Sequence, residues 1–376
     1  MYYFDNASTT RVLDQAADAA LKCMLETYGN PSSLHKMGIK SEDILNSSRK
    51  LIANVFNCKD EEIIFTSCAT ESTNIAILGG AYGKKRVGNK IITTTIEHAA
   101  TAQCINHLEN SGFEIIRINP KNGKYCAKDI VDAIDDETIL ISIMHVNNEN
   151  GLILHIEEIA KQTKNKNSNI LIHIDAVQSF GKIPIDTKKI PIDLASVSGH
   201  KINAPKGVGA LYIRKGTKIQ RHSFGGSQEN NIRPGTQALP SIAAFGIAAK
   251  INANNMAESM KHYKLLKSHL LEKIKNNSEI LLNSSNDCVP YIINISIKGI
   301  RSEIMLHFLE EKGFCVSSGS ACSRSKKSGV LQNIGYSKQR EDCAIRISFS
   351  RENTTNQIDL LVNAIEAGQK SLIKTY

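Results

Sequence analysis

A lysine and two polar neighbours follow a largely apolar run of the chain. The run 192–197 has the character of a strand, and Ser198, His200 and Lys201 come directly after it. Glycines then lead back into a second apolar run, 208–212. This is how a strand delivers a lysine into a cleft. The alternative interpretation is a surface lysine at a strand end, because so short a match also arises by chance.

Ser198 and His200 can bind an anion, and a lysine beside them can form a Schiff base with a carbonyl cofactor that carries a phosphate. Pyridoxal phosphate (PLP) is the common cofactor of this kind. In an apolar run further upstream, period-two alternation places His173 and Asp175 on one face of a strand. An aspartate at the end of a buried strand needs a partner, which a protonated pyridine nitrogen supplies. Asp175 precedes Lys201 by about 25 residues, as PLP enzymes of the aspartate-aminotransferase type require.

Metal chemistry is the weaker interpretation of the same segment. His173 and Asp175 have no third candidate ligand at close spacing. The nine cysteines include no Cys-x-x-Cys pair, which argues against a zinc knuckle and against a disulfide framework. We therefore expect reduced thiols and no metal site.

Composition narrows the class of protein. With 376 residues, 41% of them hydrophobic, the chain can bury a sizeable core, and its length favours two domains over one. The N-terminus has no signal-like stretch, and no run approaches the roughly 18 apolar residues of a membrane-spanning helix, so we expect a cytoplasmic protein. The net charge of +9 is spread along the chain without interleaved aromatics, which favours a solvated basic surface over direct nucleic-acid binding.

The elements that must position these residues form an alternating series. Between residues 60 and 215, strand-like runs alternate with helical stretches, which predicts an α/β layer with a mainly parallel sheet. The predicted strands are 62–66, 90–95, 114–119, 138–144, 170–175, 194–197 and 209–214. Ligands bind beyond the carboxyl ends of such strands. The polar residues found there are Thr70, Glu71, Glu97, His98, His145, Asn148, Asp175, Gln178, Ser198, His200 and Lys201.

Thr70 opens a predicted helix at one of these strand ends. Its hydroxyl and the exposed backbone N–H groups can hold a phosphate. The alternative is an ordinary helix cap, for which Ser72 and Thr73 are equally good candidates.

The rest of the chain reads as a second, mixed unit. A loop rich in Gly, Asn and Arg, 224–236, is either functional or a linker. A helical stretch over 240–275 follows, and we place the domain boundary within it, near residue 250. Beyond it we predict strands at 291–297, 315–317 and 344–349, with helices at 302–312 and 355–372.

Two chemically distinctive residues lie in this last part. Cys322 is flanked by small polar residues and followed by basic ones, which lower a thiol's pKa and increase its thiolate fraction. The alternative is an inert thiol. Arg346 interrupts an apolar strand, where it either pairs with an internal acid or binds a ligand carboxylate.

At this point the motifs resemble a known family, the PLP-dependent cysteine desulfurases of the class-V aminotransferase group. The resemblance rests on the segments 5–7 and 29–33, on the lysine and aspartate motifs, on the Ser-Ser-Gly-Ser-Ala-Cys loop 317–322 and on the Arg346 strand. It covers nearly the whole chain. It implies a type I PLP-transferase fold, aspartate-aminotransferase-like, with a mainly parallel seven-stranded sheet. The large PLP-binding domain would span 13–250, and 1–12 with 251–376 would form a smaller α+β domain carrying the cysteine loop.

The resemblance also implies roles for individual residues. Lys201, Cys322 and His98 would be catalytic, with Lys201 as the Schiff-base lysine and Cys322 as the nucleophile. The cofactor-binding residues would be Ala69, Thr70, His98, Asn148, Asp175, Gln178, Ser198, His200, Lys201 and Thr236, the last reaching a neighbouring subunit's phosphate. The substrate-binding residues would be Asn30, Asn148 and Arg346. No metal is implied, although Cys322 is a candidate ligand of a cluster in a partner complex.

The implied reaction converts L-cysteine to L-alanine and leaves the sulfur as a persulfide on Cys322. The implied partners are a second copy of the chain, in a homodimer, and a sulfur acceptor, either an iron–sulfur scaffold or a tRNA-thiolation enzyme. Two alternatives stay open. One is a selenocysteine lyase or another aminotransferase-type enzyme of the same fold. The other is a non-catalytic binding protein, which predicts loss of Lys201 or Asp175, and both are present.

This sequence departs from the family pattern in two places. Cys68 stands where the family often has glycine, and the loop after Cys322 carries Arg324, Lys326 and Lys327 in place of a more neutral segment. The second departure lies where sulfur acceptors dock in relatives.

Overall fold

The computed structural model describes residues 1–121, 123–286, 288–318 and 329–374. Cys322 and the rest of the segment 319–328 lie outside the described residues.

A seven-stranded sheet forms the centre of the molecule. Its strands are β2 (Ile63–Thr66), β3 (Lys90–Thr94), β4 (Glu114–Ile118), β5 (Thr138–Met144), β6 (Leu171–Asp175), β7 (Leu194–Ser198) and β8 (Gly209–Ile213). They lie in the order β2-β8-β7-β6-β5-β3-β4, and only β8 runs antiparallel to its neighbours. The predicted mainly parallel seven-stranded sheet is therefore confirmed, with each boundary within about a residue of its expected place.

Helices cover both faces of this sheet and continue beyond it. They are α1 (Asp14–Leu25), α2 (Lys36–Phe56), α3 (Ala69–Lys84), α4 (Ala99–Asn110), α5 (Ala127–Asp132), α6 (Ile156–Lys166), α7 (Leu239–Asn254), α8 (Met256–Ile274), α9 (Ser302–Glu311), α10 (Val330–Asn333), α11 (Lys338–Asp342) and α12 (Thr355–Ser371). Because β5, β6, β7 and β8 are buried along their whole length, their sequences are largely apolar, with a few polar residues such as His173 and Asp175 on β6.

Two smaller sheets complete the fold. In one, β10 (Ile292–Ile297) pairs antiparallel with β12 (Ala344–Ser348) and with the short edge strand β9 (Ile280–Leu282). In the other, β1 (Tyr2–Tyr3) pairs parallel with β11 (Phe314–Cys315). These sheets share a hydrophobic core with α8, α9 and α12 that is separate from the core around the large sheet. The first residues of the chain thus pack with its last third.

Three local expectations need correction. The sequence predicts a helix from about residue 40 to 56, but α2 begins earlier, at Lys36, because the His35 ring accepts a hydrogen bond from Gly38 N and caps the helix. The helical stretch 240–275 is two helices that meet at Asn255. Strand β9 was not anticipated, since three residues give too little alternation to detect. The domain division near residue 250 stays a prediction.

Among the described helices, none combines the length and the apolar character needed to cross a bilayer.

Candidate active site

A cavity of about 510 Å³ opens at the carboxyl ends of the central strands. Ten of the predicted site residues line it: Ala69, Thr70, His98, Asn148, Asp175, Gln178, Ser198, His200, Lys201 and Arg346. A second cavity of about 550 Å³ lies beside α11 and contains none of them. The fold therefore brings together, from the large sheet and from β12 of a smaller sheet, residues that are up to 277 positions apart in the chain (346 − 69 = 277).

Lys201 ends a short 3₁₀ turn that follows β7 directly. Its Nζ donates hydrogen bonds to the backbone oxygens of Ala7, at 2.8 Å, and Ser8, at 2.7 Å. The N-terminal segment is itself fixed to this turn, because the amide and the hydroxyl of Thr10 both donate to the His200 carbonyl oxygen. Backbone carbonyl oxygens of the N-terminal segment thus orient the Lys201 amine in the cavity. In the sequence, residues 5–10 have the composition of a polar, turn-rich loop, which carries no signal for this contact.

Asp175 and His98 are two titratable side chains of the cavity wall. Asp175 is 7% exposed at the end of β6, and its Oδ1 accepts a hydrogen bond from Val177 N, at 3.0 Å. Burial raises the pKa of the Asp175 carboxyl, although His98, the Val177 hydrogen bond and Lys201 favour its ionised form. Burial lowers the pKa of His98, and its Nδ1 accepts from Ala100 N at the start of α4. A neutral His98 ring therefore carries its hydrogen on Nε2.

His173, the other candidate on β6, does not face a ligand. Its two ring nitrogens contact the hydroxyls of Ser142 and Ser196, each at 2.9 Å, and the ring is fully buried between the neighbouring strands. In the part of the chain that the structure describes, no group of three or more potential metal-ligating side chains occurs. Because both ring nitrogens of His173 already have hydrogen-bond partners, its contacts argue against a ligand role.

Helix α3 points its N-terminus at the cavity. Its cap residue, Cys68, makes no side-chain capping hydrogen bond, so the first-turn N–H groups near Ala69 and Thr70 stay available to a ligand. The close approach of α3 to the sheet depends on Gly209, where a Cβ would lie 2.7 Å from the Cys68 carbonyl carbon. Thr73, on the next turn, has a buried hydroxyl without a hydrogen-bond partner among the described residues. These features suit an anion such as a phosphate.

The residues present fit PLP. A buried carboxylate at Asp175 suits a cationic ring nitrogen, the start of α3 suits the phosphate, and Lys201 lines the same cavity and can supply the amine.

Arg346 pairs with an internal acid and also lines the cavity, while its binding of a ligand carboxylate stays a prediction. It is 1% exposed on β12, and its guanidinium pairs with Asp5 Oδ1 at 2.9 Å. It also donates to Ser8 Oγ at 2.6 Å and to the Asn148 carbonyl oxygen at 2.7 Å, while its Nε has no partner within the described ranges. The internal acid thus fixes the guanidinium at the cavity wall.

Two predicted site residues do not reach the cavity of a single chain. Asn30 is exposed, and its Oδ1 accepts from Ser32 N at 2.9 Å. Thr236 is exposed at the end of the loop 224–236. A role for Thr236 requires a neighbouring subunit, and both assignments stay predictions.

Cys322 lies outside the described residues, but both flanks of its segment are fixed beside the cavity. Before the segment, Ser317 and Arg346 exchange two backbone hydrogen bonds, at 2.7 and 3.2 Å. After it, Asn333 Nδ2 donates to the carbonyl oxygen of Thr95, at 2.7 Å, close to Glu97 and His98.

Glu97 lines the cavity, and the sequence analysis gave it no role. Its Oε1 accepts from Thr94 Oγ1 at 2.5 Å and from Met144 N at 3.1 Å, whereas its buried Oε2 has no partner among the described residues. Burial raises the pKa of this carboxyl to about 8, and Asp175 adds to the rise. The sequence signal that could have identified Glu97 as a site residue was its position, shortly after β3 and directly before His98.

The raised pKa of Glu97 makes stability depend on pH. A carboxyl with an ordinary pKa of 4.5 unfolded and about 8 folded keeps its proton in the folded state through this window, so stability falls as pH rises through it, by about 1.4 kcal/mol per pH unit at most. The amide of the Glu97→Gln variant does not titrate, so it has no such pH-dependent loss of stability. Its free energy of unfolding, relative to the unaltered protein, should therefore increase from about pH 5 to about pH 8 in urea denaturation. The exposed Glu26→Gln serves as the control; a Glu97→Gln difference that is flat with pH would contradict the assignment.

The class-V aminotransferase family model matches residues 2–361, so the chain belongs to that family. The cysteine desulfurase IscS of Buchnera aphidicola is 41% identical, covering 96% of this chain and 91% of the relative. A solved NifS-like protein superposes with a TM-score of 0.93 at 35% identity, covering 99% of this chain and all of the other. A structure described as SspA in complex with cysteine gives a TM-score of 0.82 at 32% identity, covering 93% of this chain and 99% of the other. Within its family the protein is a PLP-dependent enzyme of the cysteine desulfurase group.

Proposed function

We propose that this enzyme converts L-cysteine to L-alanine, holds the released sulfur as a persulfide on Cys322 and passes it to an acceptor protein. The observation that carries the proposal is the position of Lys201. Its amine enters a cavity shared with Asp175, His98 and the start of α3, and both flanks of the Cys322 segment are fixed at the same cavity.

The cofactor would be held by residues at the strand ends. Lys201 would be the attachment point, Asp175 would pair with the ring nitrogen and His98 would stack on the ring. The phosphate would contact Ala69, Thr70, Ser198 and His200. Asn148 and Gln178 would form hydrogen bonds with the polar edge of the ring. Bound PLP supplies an electron sink for the charge that develops at the substrate α-carbon. Burial, followed by three nearby lysines, lowers the pKa of His200 to about 4, so its ring binds as a neutral donor.

Proton transfer at the α-carbon falls to Lys201. A released amine at this position takes the α-proton as a general base, and the carbonyl oxygens of Ala7 and Ser8 are acceptors that hold it in line.

Arg346 is the group suited to the substrate carboxylate. Its pairing with Asp5 and Ser8 fixes the guanidinium before substrate arrives, which reduces the entropy lost on binding. The related SspA was solved with cysteine, which supports an amino acid of that size as the substrate.

Cys322 is within reach of this site. Ser318 is the last described residue before it, and four extended residues span at most about 14 Å. Because Ser317 is hydrogen-bonded to the backbone of Arg346, the thiol can meet a substrate sulfur beside the guanidinium.

We propose that the enzyme is a homodimer. Helix α1 and the residues after it expose a group of large apolar side chains, an arrangement typical of a protein interface. They are Leu21, Met24, Leu25, Tyr28, Leu34 and Ile39, with Leu34 95% exposed. Dimerisation would also give Thr236 a neighbouring site to complete. Sedimentation should report twice the chain mass of 41.3 kDa; a monomer at micromolar concentration would contradict this.

The acceptor would be an iron–sulfur scaffold or a tRNA-thiolation enzyme, in the cytoplasm. The described cysteines are all free thiols, which suits a reducing compartment.

The test is direct detection of the persulfide. Brief exposure of the purified enzyme to L-cysteine should release alanine and add one sulfur to the peptide containing Cys322, as measured by mass spectrometry. An extra sulfur on another cysteine would overturn the role of Cys322. Amino-group transfer without alanine and sulfide would favour the aminotransferase-type alternative.

A further inference from the structure

Lys182 lies directly behind the cavity, against one of its lining residues. A turn follows β6, with Lys182 N bonded to the Ser179 carbonyl oxygen and Gly181 at a φ of 69°. This turn folds the chain back, so that Lys182 Nζ approaches Gln178 Oε1 at 3.5 Å. Lys182 itself does not line the cavity, whereas Gln178 does and is 3% exposed. The lysine is therefore placed to act through the glutamine.

The two ends of the Gln178 amide meet partners of opposite kind. On one side Nε2 donates to the Ala7 carbonyl oxygen at 2.9 Å, and on the other side Oε1 faces the Lys182 amine. The Ala7 carbonyl oxygen only accepts, and the Lys182 amine in its protonated form only donates, so with Lys182 protonated one orientation of the amide satisfies both. In that orientation the NH₂ group of Gln178 lies beside Ala7, which also accepts from Lys201 Nζ. If the Gln178 amide were flipped, its NH₂ group would face the Lys182 ammonium, and its oxygen would face the Ala7 carbonyl oxygen.

Among the described residues, an aromatic ring rather than an acidic side chain contacts the Lys182 amine. The ammonium lies 5.1 Å from the centre of the Tyr291 ring, a distance at which a ring face attracts a cation. The Tyr291 hydroxyl donates to the Gln178 carbonyl oxygen at 2.8 Å, so one tyrosine holds both residues. Burial, together with the charges of Lys201 and Arg346, lowers the pKa of Lys182 to about 7. Burying a charged amine without an ion-pair partner costs free energy, which argues that Lys182 has a role other than keeping the protein surface soluble.

We propose that Lys182 is a positioning residue that fixes the orientation of the Gln178 amide, so that Gln178 presents its NH₂ donor to an acceptor oxygen on the cofactor. The inference rests on the proposed cofactor contact of Gln178. Lys182 touches neither cofactor nor substrate. Its contribution is to exclude the flipped amide, which would present an acceptor to that oxygen.

The test compares cofactor retention among matched variants. The purified holoenzyme is dialysed, and the loss of the bound-PLP absorption is followed for the unaltered protein, Lys182→Met, Lys182→Arg, Gln178→Ala and the double variant Lys182→Met/Gln178→Ala. We expect Lys182→Met to lose PLP about tenfold faster, and Lys182→Arg to restore retention, because arginine also only donates. The double variant should lose PLP no faster than Gln178→Ala alone, since the lysine acts through the glutamine.

Lys267→Met is the control, because Lys267 is also half-buried with a lowered pKa but contacts the Cys288 carbonyl oxygen, away from the cavity. Additive losses in the double variant, or full retention in Lys182→Met, would overturn the proposal. Retention is measured without turnover. A failure of the proposed sulfur chemistry would therefore leave alanine and sulfide unformed while the retention pattern persists.

Discussion

Replacement of Cys322 by serine is expected to reduce alanine and sulfide release from L-cysteine to near background while the enzyme keeps its PLP. A serine hydroxyl cannot accept the substrate sulfur to form a persulfide. Asp175, His98 and the start of α3, which are proposed to hold the cofactor, line the cavity at the edge of the central sheet and are untouched by the change. Turnover is measured as alanine and sulfide formation, and cofactor content by absorption.

The controls are Cys126→Ser and Cys315→Ser. Cys126 is exposed before α5, and Cys315 lies on β11, where burial raises the pKa of its thiol and leaves it a weaker nucleophile. Both should retain most of the turnover. Full activity in Cys322→Ser would remove the persulfide from the mechanism, and the aminotransferase-type alternative would then lead.

Replacement of Lys201 by alanine should abolish turnover, with a loss of at least 10²- to 10⁴-fold, roughly the contribution of a general base. Alanine removes both the proposed attachment point and the amine that we propose takes the α-proton. Asp175 and the N-terminus of α3 remain, so PLP should still bind without a covalent bond. Borohydride reduction of the unaltered enzyme, followed by peptide mapping, should locate the pyridoxyl group on Lys201 and find none in Lys201→Ala.

The matched control is Lys206→Ala, an exposed lysine five positions further on (206 − 201 = 5), which should retain activity. A pyridoxyl group found on Lys206 would refute the assignment of Lys201.

The sequence by itself determined the fold class, the cofactor and the family. Strands β5 to β8 are buried on both faces, so they appear as short apolar runs whatever their neighbours are. The residues that follow such runs meet at one edge of a parallel sheet, which is why Asp175 and Lys201 could be assigned together. These features are local in the sequence, so they can be recognised without knowing how the chain packs.

Only the tertiary structure decided how the site is held. The contacts of Lys201 with Ala7 and of Arg346 with Asp5 join segments 194 and 341 positions apart. No local pattern specifies such pairs, because they depend on the two ends of the chain packing together. The same holds for the raised pKa of Glu97, since a carboxyl after a strand looks alike in sequence whether it is solvated or buried.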